Sequence, residues 1–199
     1  MQKRICVFCA SSNRIAPQYV DATAQFARLA VIQGYTLVCG GTSKGLMHVL
    51  IGAAIEAGGA VEGVVPAFMY QYGWVDKRLA HITIVETMRE RKHVMTKDAD
   101  AIVAFPGAMG TLEELTEVIS LKRLGIFCKP IIIFNQNGFY DLLLHFFDDM
   151  VKEQMMGSDQ RNAWKTVNRV EEILPAIEAE PLWIADLLHY HNSENYGNQ

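Results

Sequence analysis

The feature that most constrains this chain is an alternation carried almost from end to end: short apolar runs of strand length, each followed by a segment whose apolar residues fall at helical spacing. That alternation builds βαβ units. A strand lying parallel to its neighbours under helices is buried on both faces, so it reads as continuously apolar. Strands are expected over residues 5–9, 36–39, 60–65, 82–85, 101–105 and 130–134, with a weaker one over 166–168. Helices are expected over 17–33, 44–57, 88–98, 111–124 and 139–150, with Gly34, the pair Gly58-Gly59 and Gly125 as stops for three of them. The pattern predicts an α/β protein: a Rossmann-like, doubly wound parallel sheet with helices on both faces.

With 199 residues, half of them hydrophobic and a fifth charged, the chain can bury a full core in one domain, expected over residues 1–188, followed by a polar tail over 189–199 that frays. A net charge of −4 supplies no basic stripe for nucleic acid and no attraction to an anionic membrane, so neither is expected as a partner. A small anionic ligand needs only local positive charge. Four cysteines make no disulfide framework at this length, and Cys6, Cys9 and Cys39 fall in predicted strands, where thiols act as small hydrophobes in a reducing compartment. Cys6 and Cys9 have redox spacing but sit inside an apolar run rather than at a strand-to-helix turn. The six scattered histidines offer no zinc site. No run approaches the roughly 18 apolar residues of a spanning helix, nor the apolar core of a secretion signal, so a soluble cytoplasmic protein is expected.

The chemistry concentrates in Phe105-Pro106-Gly107-Ala108-Met109-Gly110-Thr111-Leu112-Glu113-Glu114, where an apolar run breaks into a glycine-bearing turn and opens an acidic helix. Amides at a helix start lack intrahelical partners and carry partial positive charge, so a phosphate placed there finds donors and a favourable field together. The acids have two readings. Thr111 and Glu114 have the spacing of a capping box; alternatively Glu114 is a working carboxylate. One predicted helix upstream lies Met88-Arg89-Glu90-Arg91-Lys92-His93, and in a parallel sheet the loops after successive strands emerge at one edge, so Arg91 and Lys92 can share a crevice with the glycine turn. A basic pair, an amide cradle and a carboxylate suit a phosphorylated sugar. For Arg91 the other reading is a solvated helix face.

A second glycine turn, Cys39-Gly40-Gly41-Thr42-Ser43-Lys44-Gly45-Leu46-Met47, reads as the same device used twice. Its lysine precedes its glycine, which is not the order of a Walker A loop, and it follows the second strand rather than the first, where the dinucleotide fingerprint belongs. Residues 66–77, with Tyr70, Tyr72 and Trp74, read as a long irregular aromatic segment, either a lid or packing.

The glycine turn and the segment Met88-Arg89-Glu90-Arg91-Lys92 together resemble the paired motifs PGGxGTxxE and MxxRK of the Lonely Guy (LOG) family, cytokinin riboside 5′-monophosphate phosphoribohydrolases long labelled lysine decarboxylases. The resemblance takes in Val7-Phe8-Cys9-Ala10-Ser11-Ser12 and the second glycine turn, about the first three-quarters of the chain. It implies a dimeric Rossmann-like protein that cleaves the N-glycosidic bond of an adenine-type nucleoside 5′-monophosphate without metal or cofactor. It further implies Arg91 and Glu114 as catalytic residues, with Arg91, Lys92, Gly107, Ala108, Met109, Gly110, Thr111 and Glu113 at substrate-binding positions. One departure is plain: Ala108 stands where the family usually has its second glycine, which matters if that position is left-handed and not if it is extended. No lysine can be singled out for a pyridoxal-phosphate decarboxylase, and no nucleophilic triad is apparent, Ser120 reading as an ordinary helix residue. The rival class is a non-catalytic carrier of a nucleotide or phosphorylated cofactor, resembling molybdenum-cofactor carriers.

Overall fold

The first strand, β1 (Arg4–Phe8), explains where the sheet sits. Ile5, Cys6, Val7 and Phe8 are all buried; because successive side chains project to opposite faces, Ile5 and Val7 join one apolar layer while Cys6 and Phe8 join the other. In the computed structural model, which describes residues 3–181 and 183, six more strands line up with it: β2 (Thr36–Cys39), β3 (Val61–Pro66), β4 (His81–Val85), β5 (Ala101–Ala104), β6 (Ile131–Phe134) and β7 (Lys165–Val167). Their order is β4-β3-β2-β1-β5-β6-β7, and every pair is parallel.

The helices are α1 (Pro17–Ile32), α2 (Gly45–Glu56), α3 (Ala67–Gln71), α4 (Met88–Lys97), α5 (Met109–Arg123), α6 (Asp141–Lys152) and α7 (Ile173–Ala179). Phe26 of α1, Leu50 and Ile51 of α2, and Ile173 and Ile177 of α7 pack on Ile5, Val7 and Leu37. On the opposite face Met95 of α4, Leu115 and Val118 of α5, and Phe147 of α6 pack on Cys6, Phe8 and Ile102. The expected doubly wound sheet with helices on both faces is therefore the fold. The chain travels outward from β1 to β4, then returns through α4 to place β5 on the other side of β1. The loops after β1 and β5 diverge there, opening a crevice at the carboxyl edge.

The structure departs from the sequence pattern at several places. Residues 66–77 are not irregular throughout: α3 occupies the first part, and residues 74–76 then run along 41–43, with the Ser43 N–H donating to Trp74 O at 2.8 Å and the Asp76 N–H donating to Gly41 O at 2.9 Å. Helix α5 begins two residues before the expected Thr111, at Met109. The weak strand is real and pairs with β6. Cys6, Cys9 and Cys39 are buried free thiols; burial pushes the Cys39 thiol up to about 11, in keeping with a small apolar filler. No described helix is long and apolar enough to cross a membrane. The tail over 189–199, with the domain limit at 188, lies outside the described residues.

Candidate functional site

Helix α4 places the first functional side chain. Thr87 caps it, its Oγ1 accepting from the Glu90 N–H at 3.0 Å, while Glu90 Oε2 accepts from the Glu86 N–H at 3.0 Å. One turn further on, Arg91 is buried rather than solvated, with 6% of its surface exposed. A guanidinium tolerates this only if its donors are matched. Arg91 Nε donates to Val64 O, within β3, at 2.9 Å, and Nη1 lies 3.4 Å from Glu114 Oε1. The space it fills exists because residue 40 is glycine: a Cβ built there would overlap Arg91 Nη2 and approach Cζ at 3.0 Å.

Glu114 faces it from α5, its side chain 11% exposed. Burial pushes its carboxyl up to about 7; Arg91 opposes that shift, while Glu113 adds to it. The group therefore exists in both protonation states near neutrality. The capping-box reading of Thr111 and Glu114 does not hold. The N-cap is Ala108, which contributes no side-chain bond, and Thr111 is already inside the helix, buried against Gly107, where any Cβ would overlap its Oγ1. The first helical bond runs from the Leu112 N–H to Ala108 O at 3.0 Å, leaving the amides of Met109, Gly110 and Thr111 without intrahelical acceptors. Ala108 has φ −91° and ψ −159°, an extended conformation in which its methyl group is not strained.

These elements enclose a cleft of about 180 Å³. It is lined by polar groups of Arg91, Thr111, Glu113 and Glu114, by the backbone about Ala10, Gly40 and Gly110, and by the methionines Met47, Met69, Met88 and Met95. The loops after β1, β2 and β5 do meet, as the parallel topology requires. Lys92 is placed differently from Arg91. Its ammonium pairs with Glu113 and, at 2.7 Å, with Glu117, bridging α4 to α5, and it is not among the described residues lining the cleft. Burial pulls the Lys92 pKa down, but the bonds from the two carboxylates outweigh it and leave it above the ordinary value. Met109 is largely exposed at the rim.

In the second glycine turn two of the three leading amides are already taken. The Gly45 N–H at the start of α2 donates to Asn13 Oδ1 at 2.9 Å and the Leu46 N–H to Ala10 O at 2.9 Å, so the β1–α1 loop already occupies that helix terminus. Met47 and Met88 fall in the two quoted motif segments, whereas Met69 and Met95 carry no signal in the sequence because methionine is an ordinary core residue.

A doubly wound sheet whose switch-point cleft joins a buried guanidinium–carboxylate pair to an open helix terminus defines a Rossmann-like α/β protein with an anion-competent cleft. Comparison with known proteins narrows this. Residues 47–177 match the family described as "Possible lysine decarboxylase". Cytokinin riboside 5′-monophosphate phosphoribohydrolase LOG5 of Arabidopsis thaliana is 37% identical over 177 residues, covering 89% of this chain and 78% of that protein. The phosphoribohydrolase LOG of Oryza sativa subsp. japonica is 37% identical over 194 residues, covering 94% of this chain and 80% of that one. The chain belongs to this family, the LOG family. Among solved structures, a molybdenum cofactor binding protein from Rippkaea orientalis superposes with a TM-score of 0.72 over 90% of this chain and 97% of that one, and the molybdenum cofactor carrier protein from Chlamydomonas reinhardtii with 0.70 over 89% and 97%. At 18% identity both share the fold alone.

Proposed function

We propose that the protein hydrolyses the N-glycosidic bond of an adenine-type nucleoside 5′-monophosphate, AMP or a cytokinin riboside 5′-monophosphate, releasing the free base and ribose 5-phosphate. The relatives' activity supports the reaction type, and one observation carries it to this chain: a carboxyl poised near pH 7 against Arg91, one helical turn from the unpaired amides of Met109, Gly110 and Thr111. In this reading the phosphate sits at the α5 terminus, the ribose lies over the carboxyl end of β1, and the base rests on the methionine wall. As the bond between C1′ and the base nitrogen breaks, its electron pair leaves with the base and positive charge builds on the sugar. The Glu114 carboxylate stabilises that charge and takes the proton of the attacking water, which then passes to the departing base nitrogen, while Arg91 orients the carboxylate and the ribose hydroxyls. No step calls for a metal or cofactor, and no lysine is among the described residues lining the cleft, so a pyridoxal Schiff base has no anchor there.

A homodimer and a cytoplasmic setting belong to the same proposal. The exposed Phe68, Tyr72, Trp74 and Met88 offer apolar surface to a second copy, and the buried free thiols suit a reducing compartment. The test is to incubate purified protein with AMP and follow adenine by chromatography. Adenine is released by the wild type; Glu114→Gln loses about a hundredfold or more of that rate and still binds AMP. Binding without release by the wild type would favour the carrier reading instead.

A further inference from the structure

We infer that Tyr140 is a positioning residue for the phosphate end of the cleft: through the bond its hydroxyl donates to Phe105 O it sets the orientation of the turn 105–107 from which α5 and its open amides start. The inference rests on the functional reading above. Tyr140 stands just before α6, packed edge-on against Phe139 with ring centroids 4.9 Å apart, and is 2% exposed. Its hydroxyl donates to Phe105 O at 2.7 Å. Its own N–H donates to Asn135 Oδ1 at 2.7 Å, and Asn135 Nδ2 donates to Asp141 Oδ1 at 2.7 Å, so the ring is anchored in place.

The turn is fixed from the other direction as well. The Phe105 N–H donates to Phe8 O at 2.8 Å, the Ala10 N–H donates to Pro106 O at 3.3 Å, and the Thr111 side chain packs where Gly107 lacks a Cβ. The Tyr140 hydroxyl adds a hold on the carbonyl of Phe105, the residue whose own N–H is tied to Phe8. A neutral hydroxyl has one proton to give; burial holds the phenol far above its ordinary pKa, so the proton stays and points at Phe105 O. Nothing in the sequence marks this tyrosine, because it lies a whole βα unit downstream of the turn it holds.

Tyr140→Phe keeps the ring and deletes the hydroxyl, leaving the Phe105 carbonyl unpaired where solvent does not reach. Calorimetric titration with AMP, ribose 5-phosphate and adenosine reads the consequence without requiring turnover. The expected result is a rise of about tenfold in Kd for AMP and ribose 5-phosphate, equivalent to about 1.4 kcal/mol, with less than a twofold change for adenosine. Equal losses for all three ligands, or no loss for any, overturn the assignment. Hydrogen exchange on the wild type gives a second measurement that needs no variant. The amides of Met109 and Gly110 gain protection when AMP binds; exchange at both that AMP leaves unchanged also overturns it. Wild-type protein that binds none of the phosphate ligands refutes the functional reading and this inference with it, whereas an unchanged AMP-to-adenosine preference in the variant refutes the role of Tyr140 alone.

Discussion

Gly40 and Arg91 share one volume: the guanidinium that approaches Glu114 at 3.4 Å runs through the space that any side chain at position 40 would fill. Two sequence motifs whose key residues are 51 positions apart are thus one steric unit, the glycine at the end of β2 making room for an arginine delivered by α4.

Gly40→Ala is accordingly expected to behave as a milder Arg91→Ala. Both lower the rate of adenine release from AMP, by about tenfold and about a hundredfold respectively, with a smaller loss in AMP binding. Steady-state kinetics with parallel binding titrations decide it; an unaltered rate in Gly40→Ala would show that the guanidinium works from elsewhere.

The state of Glu114 sets the pH dependence. As a base it must be ionised, so kcat/KM for AMP should fall on the acid side with an inflection near the value of about 7 set mainly by burial. Arg91 opposes that shift, so in Arg91→Ala the inflection of the residual activity should move to higher pH. For stability the sign is opposite. A carboxyl whose pKa is raised on folding from 4.5 to about 7 favours the folded state while protonated, and that contribution is lost as pH climbs through this interval. Denaturant melts at pH 5 and 8 should show wild-type stability declining more than that of Glu114→Gln.

Positions 107 and 108 should respond in opposite ways to exchanging glycine and alanine. Gly107→Ala forces Thr111 aside and should cost more than about tenfold in AMP affinity, equivalent to about 1.4 kcal/mol. Restoring the family's glycine with Ala108→Gly should change KM by less than about threefold, since alanine already adopts the extended backbone required there. A large gain from Ala108→Gly would mean the methyl group obstructs the ligand.

Away from the cleft, Asp76 ties the aromatic segment down. It is 3% exposed, accepts from Arg78 Nε at 2.9 Å and from the Arg78 N–H at 3.0 Å, and lies 2.8 Å from His48 Nδ1. Burial alone would raise its pKa, but these bonds, led by Arg78, hold the carboxyl down to about 2. The stability it contributes is present above the ordinary value of 3.8 and is lost as pH falls toward 2. Asp76→Asn should cost about 2 kcal/mol at pH 6, and the gap from wild type should close on acidification; urea melts across that range check it.

What the sequence disclosed and what it hid have separate physical causes. The strands were legible because a parallel sheet buried on both faces must be apolar at every position, as in Ile131–Phe134. Arg91 and Glu114 were legible as candidates because strand order brings their helices to one edge. The start of α5 was not, because its N-cap, Ala108, caps with no side chain, while Thr111 and Glu114 imitate a cap one turn too late. Lys92 sits next to Arg91 in the chain, yet helical geometry turns the two apart, one into the cleft and the other toward Glu113 and Glu117. The α2 terminus read as open because its occupant, Asn13, comes from 32 residues earlier in the chain.

That occupied terminus sets the two glycine turns apart. With Asn13 and Ala10 holding the Gly45 and Leu46 amides of α2, the helix start that keeps its Met109, Gly110 and Thr111 donors for a guest is that of α5, in a cleft otherwise rich in thioethers. In the proposed reading a guest anchored there by its charged end presents its central bond to Glu114.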